Sequence, residues 1–194
     1  MKKIILIFTA FTFSLAVLSQ GNTGAKGKNK QKNKTENSGV SVKDEKIKKE
    51  MDDHNRKVWD GVSENGKGPK PSKNQPAKVR ASFQRDYPNA NNVSWSKYRG
   101  DWTATFGNGL NYSTAVYHAN GDRRDTRTPV TRNEMPKNVL DSVFKRRPGT
   151  RLDDIIKIEV PNVVKDIFRV KDVIQGRSEY FYYNRDGVLV KYNY

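Results

Sequence analysis

Residues 83–121 read FQRDYPNANNVSWSKYRGDWTATFGNGLNYSTAVYHANG, and this stretch decides the fold. Phe83 and Tyr87 lie four apart on an apolar helical face, and the proline after Tyr87 predicts that a helix over 77–87 ends there. Apolar and polar residues then alternate, which predicts three strands. These strands cover 93–96, 102–106 and 112–118. Asn120-Gly121 is a strong hairpin signal, so a fourth strand should follow it.

The same order of elements restarts after residue 130. Apolar spacing predicts a second helix over 136–147, capped by Thr131 or Asn133 and ended by Pro148-Gly149. Alternation of apolar and polar residues then predicts four more strands. They cover 156–160, 168–170, 180–183 and, after a second turn at Asp186-Gly187, 188–192.

The two runs of elements indicate an internal duplication. Phe83-x-x-x-Tyr87-Pro88 matches Val143-x-x-x-Arg147-Pro148, and Tyr117-x-x-Asn120-Gly121 matches Tyr183-x-x-Asp186-Gly187. Neither half has enough apolar residues to form a core alone, so the halves should share one sheet. The predicted fold class is therefore α+β. It consists of two helix-plus-strand repeats, 77–132 and 133–194, that form one curved antiparallel sheet with both helices on one face.

The order and spacing of these motifs resemble those of PepSY-like, β-lactamase-inhibitor-like domains of secreted bacterial proteins. The resemblance covers residues 77–194 and rests on Phe83…Tyr87-Pro88-x-Ala90, Val93-x-Trp95, Trp102-x-Ala104-x-Phe106, Ala115-x-Tyr117, Asn120-Gly121, Met135-Pro136 and Tyr183…Asp186-Gly187. True inhibitors of this kind bind an enzyme through the open sheet face, and related PepSY modules are thought to restrain peptidases. The resemblance therefore implies protein binding rather than catalysis. Two features depart from the pattern: Arg147 stands where the first half has Tyr87, and a basic segment precedes the domain.

The first 19 residues have the composition of a secretory signal peptide. Lys2 and Lys3 precede an apolar run of 15 residues, which is shorter than a membrane-spanning helix requires, and Ser19 supplies a small residue at the expected cleavage site. We therefore expect a periplasmic or secreted protein without a transmembrane segment after cleavage.

Residues 20–76 are interpreted as a basic, low-complexity linker that is mostly disordered. The segment is rich in Lys, Gly and Asn and has few apolar side chains with which to offset the entropy of folding. Ile47, Met51 and Val58 fall near helical spacing, which is compatible with a short, marginal helix over 42–59.

The composition also excludes several classes of site. The 194-residue chain has no cysteine, which excludes disulfides and thiol chemistry, and it has only two histidines. His54 is interpreted as part of a solvated polar stretch, and His118 as an edge residue at a strand end. The sequence has no phosphate-binding glycine loop and no pattern that pairs a nucleophile with a base. We therefore expect no catalytic, cofactor or metal site.

Strand alternation directs a basic and aromatic set of side chains away from the two helices. We predict that five of them form an exposed partner-binding surface, on which alanine substitutions should weaken binding more than stability. They are Tyr98, Arg169, Lys171, Tyr180 and Tyr182, and the same alternation places Lys157 beside them. Tyr and Arg are frequent in binding hot spots, although a half-solvated antiparallel sheet also has a polar face of this kind.

Two functional hypotheses follow. In the first, the protein is a secreted, non-enzymatic binding module whose sheet face contacts a protein or peptide with an acidic surface. In the alternative, the lysine-rich linker attaches the protein to a polyanion or a cell surface, because the net charge of +16 attracts anions at long range without specificity. Binding through the linker should decrease steeply with salt and should be lost when residues 20–76 are deleted.

Overall fold

The computed structural model describes residues 42–62, 68–163 and 166–193, and the predicted signal peptide and the first part of the linker lie outside these ranges. The described residues form three α-helices: α1 Val42–Trp59, α2 Ala77–Asp86 and α3 Lys137–Arg146. They also form nine strands: β1 Lys70–Pro71, β2 Asn91–Tyr98, β3 Asp101–Asn108, β4 Asn111–Tyr117, β5 Arg123–Val130, β6 Ile155–Glu159, β7 Ile167–Ile174, β8 Arg177–Asn184 and β9 Leu189–Val190. None of these helices combines the length and hydropathy that crossing a bilayer requires.

All nine described strands belong to one antiparallel sheet in which each strand pairs with the next along the chain, from β1 to β9. The predicted fold class is confirmed: the two repeats share this sheet, and α2 and α3 pack on the same face of it. The predicted last strand over 188–192 is shorter in the structure, since β9 covers only Leu189–Val190.

Each repeat buries one helix against its own strands. In the first repeat, Val79 and Phe83 of α2 pack on β3 and β4, where they contact Trp102, Ala104, Phe106, Ala115 and Tyr117. In the second repeat, Val139 and Val143 of α3 pack on β6, β7 and β8, where they contact Ile155, Phe168, Val170 and Tyr183. The core on this side of the sheet is therefore apolar in both halves.

The duplication inferred from the sequence is visible in the backbone. The residues that end α2 and α3, Tyr87 and Arg147, have nearly the same conformation, with φ and ψ of −135° and 67° in the first and −144° and 76° in the second. Both helices are preceded by a proline, so the predicted cap at Thr131 or Asn133 is wrong. Thr131 instead forms a capping box with Glu134 on a short 3-10 helix before α3.

The opposite face of the sheet carries α1, which lies over β4 and β5. Alternation along the strands separates the two faces, because Tyr117 and Ile155 point to α2 and α3 while their neighbours Val116 and Ile156 pack beneath α1. We call this side the α1 face. Part of the segment that the sequence predicted as mostly disordered linker is therefore folded, and β1 lies in the same segment.

Two strands differ from their predicted facing. Ile156 and Ile158 lie on the α1 face, so Lys157 points to the α3 side and pairs with Phe168. The run Ile155-Ile156-Lys157-Ile158 has apolar residues on both faces, and its alternation was therefore ambiguous. In β2 the register shifts between Asn91 and Ser94, and Val93 is exposed rather than packed on α2.

Candidate binding face

The five residues that the sequence predicted as a partner-binding surface all lie on the α1 face, where they surround the C-terminal end of α1. We call them the anchor cluster: Tyr98, Arg169, Lys171, Tyr180 and Tyr182. None of them is fully exposed, and Arg169 is only 2% exposed. The expectation that these side chains are exposed is therefore wrong, because the chain's own helix covers them.

Arg169 holds the last turn of α1 through main-chain oxygens. Its Nη1 donates to the carbonyl oxygens of Val58 at 3.3 Å and Asp60 at 2.8 Å, and its Nη2 donates to that of Lys57 at 2.6 Å. The last carbonyls of a helix have no partner within the helix and carry its negative dipole end, so a guanidinium at this point stabilises the helix terminus. Asp154 of the loop before β6 approaches the same guanidinium at 3.4 Å.

Lys171 and Tyr180 bind the acidic residue that follows α1. The ammonium group of Lys171 lies 2.5 Å from Oδ2 of Asp60, and the Tyr180 side chain also forms a hydrogen bond with this carboxylate. Partial burial alone would raise the pKa of Asp60, but these two hydrogen bonds and the charges of Lys171 and Arg169 lower it below its ordinary value. The carboxylate is thus stabilised in its charged form.

Aromatic contacts complete the anchor cluster. The Tyr98 ring packs edge-on against Trp59 with centroids 5.4 Å apart, and its hydroxyl donates to the main-chain oxygen of Val62 at 3.1 Å. Tyr182 packs in the same apolar cluster as Val58 and Trp59. Arg127 on β5 stacks its guanidinium over the Trp59 ring at 5.1 Å.

One helical turn earlier, α1 contacts the sheet through hydrogen bonds between side chains. His54 is buried, and its Nε2 lies 2.8 Å from the Thr114 hydroxyl. The Thr105 hydroxyl donates to Oδ1 of Asn55 at 2.8 Å. Desolvation, assisted by the nearby charge of Lys57, lowers the pKa of His54 to about 4, so the ring is neutral near pH 7. The interpretation of this residue as part of a solvated stretch is therefore wrong.

The sequence placed the five residues of the anchor cluster on one face, but it did not predict that the end of α1 contacts them. Asp60 and Gly61 follow the last apolar residues of α1, and a glycine just after a helical apolar pattern is a recognisable stop signal. Gly61 has φ of 71°, the left-handed conformation typical of a residue that ends a helix. The helical spacing of Ile47, Met51 and Val58 indicated a short helix over 42–59, and the structure has α1 over Val42–Trp59.

The sheet beneath α1 combines the apolar residues Val116, Ile156 and Ile158 with buried polar side chains, unlike the sheet beneath α2 and α3. Its buried side chains include three hydroxyls, one ion pair and the guanidinium of Arg169. They are Thr103, Thr105, Thr114, Asp125, Arg127 and Arg169, all of which are at most 3% exposed. Arg127 pairs with both carboxylate oxygens of Asp125 at 2.9 and 3.3 Å, and Tyr192 donates to Asp125 at 2.6 Å.

A cleft of about 630 Å³ opens beside the anchor cluster. It lies between the loop that follows α3 and the middle of β7, and Lys171 and Asp154 belong both to its lining and to the surroundings of Asp60. The other lining residues include Arg151, Asp153 and Asp172. The cleft therefore adjoins the end of α1 through Lys171, which pairs with Asp60.

His118 has a carboxylate partner that the sequence did not suggest. Its Nδ1 lies 2.9 Å from Oδ1 of Asp101, and Arg124 contacts the other oxygen of this carboxylate at 3.2 Å. Asp101 thus joins His118 and Arg124 in one polar network at the start of β3. Within residues 42–62, 68–163 and 166–193, no cluster of three or more His, Asp or Glu side chains is arranged to hold a metal ion.

No known protein family and no curated protein matches the sequence. The chain does resemble solved structures from Bacteroides species. A DUF2874 family protein of Bacteroides ovatus is 21% identical, with a TM-score of 0.57 over 62% of this chain and 87% of the other. A BLIP-like protein of Bacteroides fragilis is 21% identical, with a TM-score of 0.56 over 62% of this chain and 86% of the other. The fold is BLIP-like, where BLIP denotes the β-lactamase inhibitor protein. These structures do not test the resemblance to PepSY domains, and this part of the resemblance stays a prediction.

A third structure, of a Bacteroides eggerthii protein provisionally described as periplasmic, is 14% identical. Its TM-score is 0.56 over 61% of this chain and 88% of that one. In all three cases the matched length is close to that of residues 77–194. The matched length is shorter than the folded part of this chain, which begins at Val42. The structure therefore contains folded residues beyond the BLIP-like fold.

Proposed function

We propose that this protein is an exported, non-enzymatic binding module whose α1 face binds a polypeptide segment of another protein. The observation that supports this most directly is the buried Arg169, which donates to the main-chain oxygens of Lys57, Val58 and Asp60. Every polypeptide has main-chain carbonyl groups, so a partner segment can supply the contacts that α1 supplies in the structure.

The BLIP-like fold is consistent with this function, since one solved neighbour is described by its likeness to an inhibitor of an enzyme. Export is supported by the signal-peptide pattern of residues 1–19 and by the periplasmic description of another neighbour. The charges of Arg169 and Lys171 favour a partner with an acidic residue at the contact, because complementary charges across an interface give specificity and raise association rates.

The test compares full-length mature proteins as baits in a periplasmic extract of the source organism. The first bait is the wild type. The second is Val58→Asp, which places a charge in the apolar contact of α1 and leaves every sheet residue unchanged; we call it the release variant. The third adds Tyr98→Ala and Tyr182→Ala to the release variant. Val42→Asp makes the same substitution at a position that is 83% exposed and serves as the matched control.

We expect the release variant to retain more of a specific protein than the wild type, the third bait to lose it, and Val42→Asp to behave as the wild type. Equal capture by all four baits would show that the α1 face takes no part in binding. A fifth bait without residues 20–41 tests the rival hypothesis of polyanion binding, in which capture should disappear with those lysines and at high salt.

A further inference from the structure

We infer that α1 is a displaceable occupant of the α1 face, and that the partner is a helical polypeptide whose last turn ends in an aromatic residue, an aspartate and a glycine. The inference rests on the proposed function, because it names the partner and the regulation of the same site. Three features support it: the apolar contact of α1 is confined to its last turn, polar groups are buried beneath the helix, and the anchor cluster has a specific chemistry.

The buried apolar contact of α1 is confined to its last turn, where Val58 and Trp59 pack with Val116, Ile156 and Ile158 of the sheet. Only three of its 18 residues are buried, namely His54, Val58 and Trp59, and only two of these are apolar. Four more residues are half-buried, namely Ile47, Met51, Asp53 and Asn55, and the other residues of α1 are exposed, so most of the burial lies in its C-terminal half. Displacement of α1 therefore uncovers an apolar patch of the sheet, formed by Val116, Ile156 and Ile158, which another occupant must cover again.

The sheet that α1 covers also buries polar groups beside the apolar patch. The side chains under α1 include the hydroxyls of Thr105 and Thr114 and the Asp125–Arg127 ion pair, and water can hydrate all of these groups. Two buried polar atoms, Nδ1 of His54 and Nε of Arg169, have no hydrogen-bond partner within the described part of the chain. A buried donor or acceptor without a partner is unfavourable, so hydration of these two atoms would favour opening.

The anchor cluster defines the chemistry of the occupant. Arg169 requires free carbonyl groups, which the C-terminal turn of a helix provides. Lys171 and Tyr180 require a carboxylate directly after that turn. A Cβ on the next residue would overlap the Tyr180 ring, which requires glycine there. Tyr98 and Arg127 enclose an aromatic ring.

Competition between α1 and the partner would set the apparent affinity. Because α1 is attached to the sheet through its own chain, it has a high effective concentration at the face. A partner binds only the open fraction, so its apparent affinity is reduced by that fraction. If about 1% of molecules were open, release of α1 would raise the apparent affinity about 100-fold.

The first experiment uses the wild-type protein and measures hydrogen exchange of individual amides in increasing urea below the unfolding transition. We expect the amides of α1 from His54 to Trp59 to exchange at least about tenfold faster than those of β3 and β4, with a weaker dependence on urea, because α1 opens separately from the sheet. If the amides of α1 and those of β3 and β4 exchange only through global unfolding, with the same dependence on urea, the inference is wrong.

The second experiment measures binding of a fluorescent peptide with the sequence of residues 42–62 by anisotropy. We expect it to bind the release variant at least tenfold more tightly than the wild type or Val42→Asp. This tighter binding should be lost when Arg169→Leu is added to the release variant. It should also be lost when Trp59 or Asp60 of the peptide is replaced by alanine. If a folded release variant binds the native and altered peptides equally, the face does not recognise this chemistry and the inference is wrong.

The two proposals can fail separately. Peptide binding without capture of any protein by the release variant supports the chemistry of the face and overturns the proposed function. Face-dependent capture without peptide binding supports the proposed function and overturns the inferred partner chemistry. If the release variant does not fold, the hydrogen-exchange experiment decides the inference on the wild type alone.

Discussion

Gly61 packs against Tyr180 so closely that a Cβ at position 61 would overlap the tyrosine ring, and Gly61 has φ of 71°. We predict that Gly61→Ala detaches the end of α1, because it adds a steric overlap to the strain of a left-handed alanine. Gly100→Ala is the matched control, since Gly100 also has positive φ but a Cβ there would meet nothing within 4 Å. Urea unfolding should show that Gly61→Ala costs about 1–3 kcal/mol more than Gly100→Ala. If both variants lose the same free energy of unfolding, the Tyr180 ring moves aside to make room for the added Cβ.

Arg169 and Lys171 contact the same segment but should contribute very differently to stability. Arg169→Ala removes a buried guanidinium that serves three carbonyl groups, and we expect a loss of about 2–4 kcal/mol in the free energy of unfolding. Lys171→Ala removes a partly exposed ion pair, for which the loss should be below about 1 kcal/mol. Denaturant titration of both variants checks this order, and the reverse order would contradict the observed burial.

The sequence predicted the helices and strands in which apolar residues recur at regular spacing. The helices α2 and α3 were found because Phe83 and Val143 lie on apolar helical faces that end at prolines, and most strands were found because apolar residues alternate over several positions. The anchor cluster was placed on the correct face for the same reason. Because successive side chains of a strand point to opposite faces, the sequence indicates which residues share a face even where it does not indicate what covers that face.

The sequence could not predict that α1 docks on the sheet. The contact between α1 and the sheet depends on His54 and Trp59. His54 is polar, and it is buried only because its ring forms a hydrogen bond with the Thr114 hydroxyl. The Lys- and Gly-rich residues before α1 gave the whole segment the composition of a linker. Long-range pairing between a helix end and Arg169, 109 to 112 residues later, leaves no local pattern in the chain.

The buried His54 should make stability depend on pH. Its pKa is lowered to about 4 in the folded protein from an ordinary value of 6.5, so the unfolded chain binds a proton more readily between these values. The free energy of unfolding should therefore decrease as the pH falls from 6.5 to 4, by at most roughly 3 kcal/mol. Urea titrations of the wild type and of His54→Gln measure this difference. The variant should show a shallower decrease, and identical slopes would show that burial does not lower the pKa of His54.

The last prediction concerns the two hairpin turns that the duplication makes equivalent. Gly121 lies beside the start of α2, where a Cβ would be 3.1 Å from the carbonyl oxygen of Lys78. Gly187 lies beside the start of α3, where a Cβ would overlap the carbonyl oxygen of Asn138. Both glycines have positive φ, so alanine brings similar backbone strain at the two positions, and the difference between them is the room beside the helix.

We expect Gly187→Ala to lower the free energy of unfolding by about 1–3 kcal/mol more than Gly121→Ala, since overpacking against main chain is relieved only by moving α3 away from the sheet. Gly176→Ala is the control, because Gly176 has φ of 77° and nothing within 4 Å, so it reports backbone strain alone. If both turns dock on their helices, both variants should be less stable than this control in urea unfolding. If Gly187→Ala matched Gly176→Ala, the turn would not be held against α3, and the two halves would not be packed in the same way.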